Sequence, residues 1–145
     1  MAAKLMLKTI TRSAGSIACL LIVASPTLAS MEQDNQIARS LLGIWKIADD
    51  SVDKAGAPPL DEVFRADGTY TVRVFKDAKC SEIVNGTTGK WKINDGILYS
   101  TLNNGRVLRD TVVSIDKLHL TFFSLDEGRA LKRVHEPFCL VGPTT

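Results

Sequence analysis

The sequence predicts an all-β domain, an eight-stranded up-and-down antiparallel barrel with a short N-terminal helix, and three observations predict it. From Gly43 onward apolar residues recur with a period of two. Clusters of Gly, Asn and Asp punctuate that rhythm at short intervals. No helical stretch is long enough to cover an open sheet. Short connections make successive strands antiparallel neighbours, and an open sheet of this size would leave two unpaired edges beside one long apolar face. Closing the sheet on itself removes both problems. A two-sheet sandwich has the same turn spacing and stays open as the alternative.

Before the first strand, Ile37, Leu41 and Leu42 stand at helical spacing between Met31 and Leu42, with Asp34 available near the start. Ile44-Trp45-Lys46-Ile47 opens the first strand, and Asp49 to Pro59 is a polar loop whose Pro58-Pro59 cannot continue a central strand. A hairpin follows, with arms Glu62 to Arg65 and Thr69 to Val74 around Asp67-Gly68, a pair that accepts the positive φ of tight turns. A second hairpin joins Gly89 to Ile93 and Ile97 to Leu102 through Asn94-Asp95-Gly96, and alternation places Trp91 inward. Asn103-Asn104-Gly105, Asp116-Lys117 and Asp126-Glu127-Gly128 then separate Arg106 to Ser114, Leu118 to Phe122 and Ala130 to His135.

Residues 1–29 have the layout of a secretory signal peptide: Lys4, Lys8 and Arg12, the apolar run Ala14 to Ala24, then Pro26 and small residues at Thr27 and Ala29. The run is shorter than the roughly 20 residues a spanning helix needs, so no permanent membrane anchor is expected. Residues 30–145 are then the mature domain, in the periplasm or secreted. The leader holds three of the eighteen Lys and Arg and none of the sixteen Asp and Glu, so fifteen basic and sixteen acidic residues remain and the net charge becomes −1. A near-neutral chain with interspersed signs offers no surface to steer nucleic acid. Cys19 leaves with the leader. Cys80 and Cys139 remain in a compartment that permits disulfides, and the expectation is that they pair; two separate thiols are the alternative.

Leu42-Gly43-Ile44-Trp45 after a helical turn, followed by a meander that ends in a basic strand, resembles the lipocalin-like, or calycin-type, barrels. Phe64-Arg65-Ala66-Asp67-Gly68-Thr69-Tyr70 and Gly89-Lys90-Trp91-Lys92-Ile93 look like the middle hairpins of their bacterial members. The resemblance implies that Gly43 and Trp45 open the first strand, that Trp45 plugs the closed end, and that Arg133 from the last strand packs over it. The chain lacks the Thr-Asp-Tyr loop signature of the longer animal lipocalins, and its strands and loops are shorter, which argues against a roomy cavity. Known members include carriers of small apolar ligands, fatty-acid binders and bacterial inhibitors of secreted proteases.

His119 and His135 are the only histidines, and no Ser, Cys or acid stands at a spacing that makes a catalytic pair or a metal motif. Alternation puts His119 on the outer surface. Asp49, Asp50 and Asp53 lack the glycine and terminal acid of a calcium loop and are expected to be solvated. The candidate ligand lining is aromatic: Trp45, Phe64, Tyr70, Trp91, Tyr99 and Phe122. Rings of that size can also fill an eight-stranded barrel, so a packed core and a cavity both stay open. The expected function is an exported, non-enzymatic binding protein for a small apolar or amphipathic ligand, without cofactor or metal. The alternative is an interaction protein, such as an inhibitor of a secreted hydrolase, that contacts its partner through mobile segments at Ser30 to Arg39 and Asp49 to Leu60.

Overall fold

A computed structural model describes residues 28–139, so the leader of residues 1–29 lies outside the described residues except for Leu28 and Ala29. One helix, α1 (Leu28–Leu41), precedes eight strands: β1 (Gly43–Ile47), β2 (Leu60–Phe64), β3 (Thr69–Phe75), β4 (Ile83–Asn94), β5 (Ile97–Leu102), β6 (Val107–Ile115), β7 (His119–Ser124) and β8 (Arg129–Val134). Each strand pairs antiparallel with the next, and β8 returns to β1 through Lys46↔Val134 and Ile47↔Arg133. That last pairing closes the barrel and excludes the sandwich.

Strand β4 begins six residues before the segment that alternation marked. Residues 83–88 carry no consistent apolar alternation, and what makes them strand is backbone pairing with β3, from Val74↔Asn85 to Thr71↔Thr88. Further along β4, Gly89 faces the backbone of Thr101 so closely that a Cβ there would collide with its carbonyl, and this lets the strand coil tightly into the closed sheet.

The lower end of the barrel is the packed end. Ile37 and Leu41 of α1 join Trp45, Phe64, Tyr70, Leu98, Leu120, Phe122 and Leu131 in one buried cluster. Trp45 is fully buried, and its indole Nε1–H donates to the Leu41 carbonyl at 2.8 Å, satisfying an acceptor that the end of a helix leaves open. Asp34 does not cap α1, which starts six residues earlier. Its carboxylate instead accepts from the backbone N–H groups of Asp95 (2.7 Å) and Gly96 (2.8 Å), pinning the helix to the β4–β5 turn. Both turn residues have positive φ, 52° and 73°, as a tight hairpin turn requires.

The chain after β8 forms a strap across the outer face of β1, β2 and β3. Glu136 pairs with Lys46 at 2.5 Å, Phe138 stacks on Phe75 at 6.3 Å, and Cys139 is bonded to Cys80 in the β3–β4 connection. Under the strap, Asp61 is wholly buried between Arg73, at 2.6 Å, and the Phe138 N–H, at 2.5 Å. Among the described residues no helix is long and apolar enough to cross a membrane.

Candidate functional site

The barrel interior is zoned by strand parity. Inward positions at the lower end are apolar, whereas inward positions at mid-height are polar: Glu62 stands two residues before Phe64, Ser100 two after Leu98, Asp110 two before Val112 and Ser124 two after Phe122. Above the aromatic floor these groups border a cavity of about 130 Å³, open towards the loops that carry Asp53, Arg106, Asp126 and Glu127.

The predicted lining residues separate. Phe64, Tyr70 and Phe122 border the cavity. Trp45 lies below it in the packed end, and Trp91 packs edge-on against Phe64 at 5.6 Å while its Nε1–H donates to the Arg65 carbonyl at 3.0 Å. Tyr99 does not face inward. Its strand neighbours Leu98 and Ser100 are the buried ones, and the Tyr99 ring stands on the outer face beneath the Lys92 ammonium, 5.7 Å away.

Arg133 also departs from the expectation. The ring over Trp45 is that of His135, at 4.5 Å between centroids, and the guanidinium of Arg133 lies over Phe122 at 5.1 Å. The β1–β8 register sets Arg133 opposite Ile47, and two carboxylates draw it into the upper interior. Its Nε–H donates to Glu62 at 2.7 Å, and a terminal nitrogen pairs with Asp53 at 2.8 Å. Burial alone would favour the neutral guanidine, but Glu62 and Asp53 outweigh it and hold Arg133 more firmly protonated than usual. Tyr70 donates its hydroxyl to Glu62 at 3.2 Å, and burial together with that carboxylate raises its pKa well above the ordinary phenol range.

Asp53 was expected in a solvated knot, yet it is the member that turns inward. Ser51 hydrogen-bonds it and also accepts from the Lys132 N–H at 2.8 Å, which anchors the loop to β8. Asp49 and Asp50 remain outside, paired with Lys54 and Lys132. The two segments expected to be mobile are thus tied down at Asp34 and at Ser51.

Asp110 is the interior carboxylate without a cation. It is 8% exposed, and among the described residues no Lys, Arg or His lies within ion-pair distance of it. Burial pushes its carboxyl up to about 6; the Ser124 hydroxyl and Arg133 oppose the rise, and the nearby charges of Glu62 and Asp126 add to it. Neither histidine borders the cavity, and among the described residues no cluster of three metal-ligating side chains occurs.

Glu62, Asp110, Ser100 and Ser124 are site residues that the aromatic reading missed. Glu62 and Ser124 had a signal in parity, since each shares a strand face with an inward ring, Phe64 or Phe122, whereas Ser100 and Asp110 stand on strands with apolar residues on both faces and had none. No family model matches the chain, and a search of curated proteins finds no match either. The closed meander barrel with a helix before its first strand is nonetheless the architecture expected of a calycin-type domain.

Proposed function

We propose that this chain is an exported, non-enzymatic binding protein of lipocalin-like form that holds a small amphipathic ligand in the upper half of its barrel. The observation that carries this reading is the zoned cavity, with the Phe122 and Phe64 rings on one side and the Glu62, Asp110 and Ser124 oxygens on the other. A small concave site with a few convergent polar groups over an apolar floor is the usual form of a small-molecule site.

The volume narrows the ligand. About 130 Å³ falls below the roughly 300 Å³ at which drug-sized sites begin, and near the roughly 150 Å³ of a cavity that holds one benzene molecule. Chain-like apolar cargo such as a fatty acid is therefore not the class. Export is supported by the leader pattern of residues 1–29 and by the Cys80–Cys139 disulfide, a bond that persists in oxidising compartments. The non-enzymatic reading is supported by both histidines lying away from the cavity and by Glu62 and Asp53 being committed to Arg133.

Native mass spectrometry of the protein isolated from its own compartment tests the proposal. A single small adduct that organic solvent removes is the expected result. Recovery of a stoichiometric protein partner with no such adduct would instead favour the interaction role. Adduct-free preparations that also fail to bind small amphipathic probes saturably would end the binding-protein reading.

A further inference from the structure

We propose that the cavity takes a small organic cation, a protonated primary amine whose ammonium meets Asp110 and whose short apolar part rests on Phe122 and Leu98. This rests on the binding-protein reading and names the chemical class of its ligand.

The charge balance inside the barrel carries the inference. Three carboxylates, Asp53, Glu62 and Asp110, share the interior with one guanidinium, and Arg133 spends its contacts on the first two, at 2.8 and 2.7 Å. At the rim, Asp126 is paired with Arg109 at 3.0 Å and Glu127 with Arg129 at 2.5 Å, while the exposed Arg106 acts on Asp126. Asp110 is left as a negative group nine-tenths buried, turned into the cavity, with a hydroxyl from Ser124 as its neighbour. An unpaired buried charge is costly, and a cation arriving from solvent relieves it.

The alternatives fit less well. An anion would sit among those carboxylates. A hard metal cation needs about six or more oxygen ligands, and among the described residues no group of three metal-ligating side chains is assembled. An ammonium brings three N–H donors, which Asp110, Ser124 and Ser100 can accept. The floor of Phe122, Leu98 and Leu131 suits a short hydrocarbon portion, and about 130 Å³ limits the whole molecule to roughly the size of benzene.

Isothermal titration of the protein, expressed from its full-length sequence, with n-butylammonium at constant low ionic strength tests this, with n-butanol and butyrate as matched probes. Saturable one-to-one binding of the amine is expected, with neither matched probe competing. Because only ionised Asp110 binds the amine, and its carboxyl titrates at about 6, the apparent affinity should fall about tenfold between about pH 7.5 and pH 5. Asp110→Asn should weaken binding at least about tenfold, whereas Asp116→Asn, on an exposed turn, should leave it unchanged. The wild-type pH series answers the question even if Asp110→Asn fails to fold. Equal binding of butanol, a pH-independent affinity, or tight amine binding by a folded Asp110→Asn variant would overturn the cation while leaving the cavity reading in place. Failure of all three probes would remove both.

Discussion

The imidazole of His135 fills the space in which a side chain at Gly43 would begin, and the same ring lies against Trp45, tilted by 32°. Gly43 also holds a φ of +131°, which side-chain-bearing residues rarely adopt. Gly43→Ala should therefore destabilise the fold by on the order of 2–4 kcal/mol, from backbone strain and steric overlap together. Urea unfolding of Gly43→Ala, His135→Ala and the double variant measures the division. The double variant should be more stable than the sum of the single losses implies, and strict additivity would show that the ring and the glycine do not interact.

Asp110 makes stability depend on pH in a direction opposite to most carboxylates. Its folded pKa, about 6, lies above its ordinary value of 3.8, so between those values the folded state binds more protons than the unfolded one. Its contribution is therefore lost as pH rises from about 4 to 6. Asp110→Asn should stabilise the protein at neutral pH by up to about 3 kcal/mol, less whatever solvent in the open cavity screens. Below about pH 4 the variant and the parent should converge. Melting temperatures across that range check both statements; a variant less stable than the parent at neutral pH would contradict them.

The Cys80–Cys139 bond ties residues 59 apart in the chain. A loop of that size corresponds to about 4 kcal/mol in the chain-entropy account. Reduction, or replacement of both cysteines by serine, should lower the urea midpoint accordingly and raise amide exchange at Phe138, whose N–H is held by Asp61. Unchanged exchange at Phe138 after reduction would mean that the strap is held by its packing on Phe75 and not by the disulfide.

Asp34 holds α1 to a turn some 60 residues away through two charge-assisted hydrogen bonds. Asp34→Ala should reduce stability by on the order of 1.5–3 kcal/mol, with the change in exchange concentrated at Asp95 and Gly96. Asp34→Asn, which keeps an acceptor but loses the charge, should fall in between. Heteronuclear NMR exchange rates on the three proteins would decide it.

Much of the fold was legible because the signals that specify it are local. A strand's inward face follows from its own alternation, and a turn from two or three adjacent residues, so the order of strands and the inward aim of Phe64, Tyr70, Trp91 and Phe122 could be read directly. Tyr99 could not. Its strand carries apolar residues on both parities, Ile97 and Tyr99 against Leu98 and Leu102, and the choice between faces was made by the pairings Trp91↔Ser100 and Ile93↔Leu98. Arg133 and His135 share one parity, so alternation could not say which of them reaches Trp45. Glu62 carried a usable parity signal, obscured by the ordinary assumption that a charged residue on a strand faces water, whereas Asp110, with apolar residues on both faces of its strand, was turned inward by the pairing Leu98↔Asp110.

The chain by itself determined most of the strand segments and the tight turns that join them, residues 83–88 of β4 excepted, and that one side of the ribbon must be hidden from solvent. Only the tertiary structure decided which residues meet across the barrel: His135 over Trp45, Asp34 at the β4–β5 turn, Arg133 between Glu62 and Asp53, and Asp110 left without a cation. The reason is physical. Periodicity is a property of neighbours in sequence, whereas the rung at which two distant strands meet depends on the stagger of the closed sheet, which all eight strands set together.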